Sequence, residues 1–205
     1  MKTDIGKKWV IRFLALYVGV LILLGGLTAV LDPYFHFHGK LSFLQYPISN
    51  ERYQNDGIVK HFDYDALIVG SSMTECFKTS VLDELFSVHS VKVPLSGGSY
   101  KETGDLLRTA LEANDKIRMV IRCLDYYRLF EDKDAVDYDP SSYPTYLYDK
   151  NPFNDVNYIF NKEILFTSAY DVFGFTRSGK TTTSFDDYAN WDMYYEFGAQ
   201  AVNRH

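Results

Sequence analysis

The spacing of apolar and polar residues divides the chain into three stretches. The first, Phe13 to Leu31 (FLALYVGVLILLGGLTAVL), runs nineteen residues without a charge. About 20 apolar residues cross the hydrocarbon core of a bilayer, so this stretch predicts a transmembrane helix. The second stretch alternates short unbroken apolar runs with helical spacing. Ala66–Val69 reads as a short strand buried on both faces, and Ser90–Leu95 (SVKVPL) and Arg118–Leu124 (RMVIRCL) as two further strands. Thr79–Phe86 gathers Val81, Leu82, Leu85 and Phe86 on one helical side, and Glu102–Ala113 does so with Leu106, Leu107, Ala110 and Leu111. Asn50–His61 has helical spacing at Tyr53, Ile58 and His61, which Gly57 weakens. After Asp125 the period is lost. Residues 126–153 are rich in Tyr, Asp and Pro, residues 154–175 look helical in pieces, and residues 177–205 predict no strand.

Strand, helix, strand, helix, strand is the order of a parallel α/β sheet with right-handed crossovers. Doubly wound sheets normally hold about five strands or more. Only three are predicted, so the domain is expected to lack its C-terminal strands. Ligands of such sheets bind beyond the carboxyl ends of the strands. Those ends are Gly70-Ser71-Ser72, Ser96-Gly97-Gly98 and Asp125-Tyr126-Tyr127. The expected organisation is a basic tail (1–12), an anchor (13–31), an extended aromatic linker and helix (32–61), and an α/β domain (62–205).

Charge gives the anchor a direction. The formal net charge is −6. Residues 1–12 contribute +3 (Lys2, Lys7, Lys8 and Arg12 against Asp4), which leaves −9 on the rest. The cations put the N-terminus in the cytoplasm and the main domain outside. No A-x-A site follows the apolar run, which favours an anchor over a cleaved signal peptide; a buried core helix is the other alternative. The acidic remainder argues against a nucleic-acid partner. Cys76 and Cys123 are the only cysteines, and they read as free thiols, with a disulfide open.

Gly174 to Thr181 (GFTRSGKT) fits the phosphate-binding pattern G-x-x-x-x-G-K-[ST]. That loop works only between a buried strand and a helix. The residues before it look helical and those after it make a poor helix, so no nucleotide site is expected. Ser72 is the stronger candidate. A nucleophilic serine needs a sharp turn at a strand end, a base, and amide donors for an oxyanion. Gly70 allows the turn, and Gly97-Gly98 can bring bare N–H groups close. The alternative is a strand-to-helix junction with a serine cap.

The blocks DALIVGSSMTE, VKVPLSGGSY and RMVIRCLD, with DPYFHFH and NERYQNDGIVKHFDYD before them, resemble the SGNH/GDSL hydrolase superfamily over residues 30–130. The membrane-anchored bacterial branch is the most similar. It includes the D-alanyl-lipoteichoic acid biosynthesis protein and polysaccharide O-acetyltransferase-like proteins. The resemblance implies a three-layer, flavodoxin-like (SGNH-type) parallel sheet, here partial. It implies Ser72 as nucleophile and Ser72, Gly97 and Gly98 as oxyanion donors. Where the family has Gly-x-Asn, this chain has Cys123-Leu124-Asp125. An ionised Asp accepts but cannot donate, so Asp125 is a candidate substrate contact instead, or a turn cap.

The family's base comes from a late Asp-x-x-His block, and none occurs here. His61 and His89 precede strands and belong at the opposite end of the sheet. His36 and His38 lie beside the membrane with a weak metal spacing; no metal is expected. His205 is terminal. Tyr138, Tyr143, Tyr146 and Tyr148, among Asp137, Asp139 and Asp149, could stack on sugars but more often pack a loop onto its own domain. The expectation is an anchored, cofactor-free, extracytoplasmic esterase or O-acyltransferase of the bacterial cell membrane, acting on cell-envelope glycan or polymer and inactive as this piece. The alternative is a non-catalytic envelope-assembly or scaffold protein of the same fold.

Overall fold

The computed structural model describes residues 2–48, 50–136, 144–149, 151–178 and 185–186. Helix α1 spans Lys2–Leu31, and its stretch Gly6–Leu31 is long and apolar enough to cross a membrane. It starts before the predicted Phe13 because lysine and arginine are good helix formers outside the hydrocarbon. Then come α2 (Glu51–His61), β1 (Ala66–Gly70), a 3-10 turn (Ser72–Cys76), α3 (Thr79–Phe86), β2 (Ser90–Pro94), α4 (Tyr100–Ala113) and β3 (Met119–Arg122). Beyond them lie 3-10 turns at Tyr126–Phe130 and Thr145–Leu147, α5 (Val156–Ile159), a π turn (Glu163–Ser168) and α6 (Ala169–Arg177). The α/β alternation is as the pattern predicts. Helix α4 begins at Tyr100, two residues before the expected Glu102, because Ser99 and Glu102 form a reciprocal capping box.

The three strands make one parallel sheet in the order β2-β1-β3. Gly70 pairs with Pro94, and Val69 with Arg122. β1 is central and wholly buried, which suits its unbroken ALIVG. One face carries Leu67, Val69, Val91 and Val93 against Ile58, Val59, Leu106 and Ala110 of α2 and α4. The other carries Ala66 and Ile68 against Leu82 of α3. Lys92 also sits fully buried in β2, and its Nζ donates to the carbonyls of Glu75 (2.6 Å) and Phe77 (2.9 Å).

One segment differs from its sequence reading, and the helix after it forms as expected but buries polar residues. Residues 32–49, expected as an extended linker, form no regular element among those described but pack into the core through Phe35, Leu44, Tyr46 and Ile48. Helix α2 buries Gln54, Asn55 and Asp56 beside Gly57, Ile58 and Val59. Its polar side chains act as brackets. Gln54 Nε2 donates to the carbonyls of Pro33 (3.3 Å) and Pro47 (2.8 Å), and Asn55 Nδ2 to that of Pro94 (2.5 Å).

Gly57 has a packing reason. A methyl group there would collide with the Phe35 carbonyl. Gly57→Ala gains about 1 kcal/mol of helix propensity but forces backbone apart, at about 2–3 kcal/mol. The clash wins, and chemical unfolding in detergent should show a net loss. A stabilised variant would contradict this packing.

Candidate active site

Ser72 opens the 3-10 turn that follows β1. The capping alternative has no bond to support it: Ser71, at the cap position, makes no side-chain cap hydrogen bond. Thr74 N–H instead donates to the Ser71 carbonyl (2.9 Å). Ser72 is half-buried, and its hydroxyl makes no hydrogen bond with the described residues. Gly70 is needed beneath it, since a Cβ there would overlap Thr74 and Cys123.

The turn after β2 is shaped by two arginines. Arg52 Nη2 donates to the Ser96 carbonyl (2.9 Å), and Arg128 Nη2 to that of Gly97 (3.0 Å). A trans peptide points its N–H opposite its C=O, so the Gly97 amide faces away from Arg52. Among the described residues that amide has no acceptor. The Gly98 amide is used inside the turn, donating to the Leu95 carbonyl (2.7 Å). Of the two glycines named from sequence, Gly97 alone keeps an available N–H. Its φ of 69° requires glycine, and a Cβ would enter open space. Leu95 N–H donates to the Gly70 carbonyl (2.9 Å), so Ser72 and Gly97 both lie just beyond the same sheet edge.

A carboxyl pair stands at this edge, and the motif reading missed it. Ser96 N–H donates to Glu51 Oε2 (2.5 Å), and Ser96 Oγ lies 2.9 Å from Glu51 Oε1 and in close contact with Glu75 Oε1. A hydroxyl has one hydrogen, so it cannot donate to both carboxyls. One of them must carry a proton. Burial first, then the neighbouring Glu75 carboxyl, push Glu51 up to about 7. In a 3-10 helix residues i and i+3 eclipse, so Glu75 lies on the same side of its turn as Ser72. The available signal was weak: a Glu at the start of a polar helix, and another three residues after the Gly-Ser-Ser.

This pair makes stability depend on pH. Its folded-state value lies above the ordinary glutamate value of about 4.3. Its contribution is therefore complete below that value and lost as pH rises through about 7. We expect a fall on the order of 2 kcal/mol across that window, after screening at a partly exposed group. Glu51→Gln keeps an acceptor for Ser96 N–H and adds a permanent donor for Ser96 Oγ, so its unfolding profile should be flat there. An equal slope in both proteins would contradict the shared proton.

The other candidates fall as follows. Asp125 is half-buried, 4.0 Å from Cys123 Sγ, and its carbonyl accepts from Arg128 N–H (3.0 Å). Cys76 and Cys123 are free thiols, and burial, then Asp125, raise that of Cys123. His36 pairs with Asp155 (3.1 Å), and His38 bonds the carbonyls of Gly39 and Ala29. His61 Nε2 reaches the His36 carbonyl (3.3 Å), and the His89 carbonyl meets the start of β1. None of these four rings stands at the Ser72 edge; His205 lies outside the described residues. Gly174 is inside α6, with no strand before it, and residues 179–181 lie outside the described residues. Tyr148 OH donates to the Arg52 carbonyl, which fits packing; Asp137, Tyr138, Asp139 and Tyr143 lie outside the described residues.

The fold defines an α/β protein whose three-stranded parallel sheet follows an apolar helix of membrane-spanning length. No protein-family model matches the chain, and no curated protein or solved structure matches it either.

Proposed function

We propose that this chain is a membrane-anchored, SGNH-like esterase or O-acyltransferase acting outside the cytoplasm on cell-envelope glycan or polymer. Ser72 is the nucleophile in this reading, with its own N–H and that of Gly97 as oxyanion donors. One observation carries it: an unbonded serine hydroxyl beyond the central strand, and an unbonded glycine amide beyond its neighbour at the same edge. The strand order β2-β1-β3 supports the flavodoxin-like layout. The leading amides of a helical turn have no partners within it, which suits the Ser72 N–H to the role. The cations Lys2, Lys7, Lys8 and Arg12 before the apolar run support a cytoplasmic N-terminus, and the family resemblance suggests a bacterial cell membrane.

Acyl transfer also needs a base to take the serine proton. No imidazole among the described residues stands at that edge. This favours a second reading, in which the chain keeps the fold as an envelope-assembly or scaffold protein without the chemistry.

A fluorophosphonate separates the two. The reagent phosphonylates activated serines, with fluoride leaving as the Ser–O–P bond forms. The catalytic reading expects a stoichiometric adduct on the Ser72 peptide in the longest natural form of the chain. No adduct there would reject catalysis and leave the scaffold reading.

A further inference from the structure

Residues 153–173 hold an apolar surface that the Ser72 site leaves unused. Phe153, Val156, Phe160, Phe166, Tyr170 and Phe173 are between 45 and 88% exposed. A domain surrounded by water rarely leaves so many large apolar side chains in one short segment.

The same segment is fastened to the anchor. α5, the π turn and α6 all pack on α1. A methyl group added at Gly25 would lie 2.8 Å from Ile159 and 3.3 Å from Phe160. Gly25, Thr28 and Leu31 recur at every third residue and form the buried stripe of that helix.

Helix geometry sets the height of this contact. Gly6–Leu31 has 26 residues, about 39 Å at the rise of an α-helix. The hydrocarbon core is about 30 Å thick, so the helix is too long by about 9 Å, or about six residues. With Lys7, Lys8 and Arg12 held at the inner surface, the excess lies at that end and the hydrocarbon runs from about Phe13 to about Leu31. Ile159 and Phe160 meet α1 at Gly25, about six residues or about 9 Å inside that outer boundary. Lys162 and Glu163 are exposed between Phe160 and Phe166. Charges at that spacing reach water from a shallow position and suit the outer edge of the hydrocarbon.

We propose that residues 153–173 form a second membrane contact, in which Phe160, Phe166 and Phe173 enter the lipid interface beside the anchor. The occupant is lipid because the surface is continuous with a helix that meets lipid. The contact would hold the domain against the bilayer at a fixed tilt. The proposal rests on α1 spanning the membrane and is independent of any chemistry at Ser72.

The test places nitroxides on the full chain in nanodiscs of phosphatidylcholine and phosphatidylglycerol. Single cysteines are introduced by Phe160→Cys, Phe166→Cys, Phe173→Cys, Ile22→Cys in the anchor, and Arg108→Cys on exposed α4. The background is Cys76→Ser and Cys123→Ser, with folding checked by circular dichroism. The labels at 160, 166 and 173 should meet a water-soluble nickel chelate severalfold less often than the label at 108. They should meet oxygen, which concentrates in lipid, more often. Full nickel access at those three, with the label at 22 lipid-protected, would overturn the second contact and leave the anchor standing. Nickel access at 22 would overturn the anchor and the proposal together. Protection from both reagents at 160–173 would mean a protein partner covers the face, and would overturn it too.

Discussion

Ser72→Ala, in the longest natural form of the chain, should lower turnover of an aryl acetate ester by about a thousandfold or more. Loss of a nucleophile removes the covalent route and leaves only what the amide donors do for direct attack by water. The Ser72 hydroxyl is half-buried and unbonded, so its removal creates no orphaned donor and little cavity, and the fold should survive. Ser71→Ala is the matched control. Ser71 is buried, and its Oγ has no hydrogen-bond partner among the described residues. It should keep turnover close to the parent. Equal turnover by Ser72→Ala and the parent would reject the assignment. Equal losses in both variants would point to damage at the strand end instead.

Asp32→Ala should cost about 3–5 kcal/mol of stability. Asp32 is fully buried just past the end of α1. Its Oδ1 accepts from His36 N–H (2.9 Å) and Tyr158 OH (2.7 Å), and its Oδ2 from Phe37 N–H (2.7 Å) and His38 N–H (2.8 Å). Burial, then the Asp32 charge, push the Tyr158 phenol well above its ordinary value, so it stays a donor. Removing the carboxylate strands four donors in a dry site, including three successive backbone amides. Asp32→Asn should fall between the parent and Asp32→Ala. It tolerates the φ of 40°, but its NH2 would face two of the donors. Urea unfolding in a mild detergent, followed through aromatic circular dichroism, measures both. A loss under about 1 kcal/mol in Asp32→Ala would contradict this role, because each buried amide left unpaired costs at least that much.

That network also shows where sequence reading ran short. DPYFHFH looked like a linker because its aromatics have no period. Its order comes from one carboxylate gathering three amides, and no local pattern records which donors will converge. Helix α2 was legible at Asn50–His61 only through weak spacing, for a related reason. Polar residues at buried positions defeat a reading by hydrophobic spacing, and Gly57 counts against a helix until the Phe35 carbonyl is seen beside it.

β1 and β2 were legible because burial on both faces leaves unbroken apolar runs. β3, at the edge of the sheet, is only partly buried, and of the apolar side expected of α3 only Leu82 is buried, with Val81, Leu85 and Phe86 exposed. Helix α4 was legible, but its start was expected two residues late, at Glu102; the Ser99-x-x-Glu102 capping spacing is the signal that marks Tyr100. At the candidate site, Ser72 and Gly97 could be named because a turn at a strand end demands small residues. Glu51 and Glu75 could not. They come from separate segments and meet beside Ser96, a contact that depends on the register of β1 against β2.

The central claim is that Ser72 and the Gly97 amide form one site. A crystal structure of the phosphonylated chain tests it most directly, because the phosphonyl oxygen stands where a transition-state oxyanion would. The account predicts phosphorus on Ser72 Oγ and that oxygen within hydrogen-bond distance of Gly97 N–H. Phosphorus on another residue, or an oxygen turned to solvent with the Gly97 amide facing elsewhere, would contradict it.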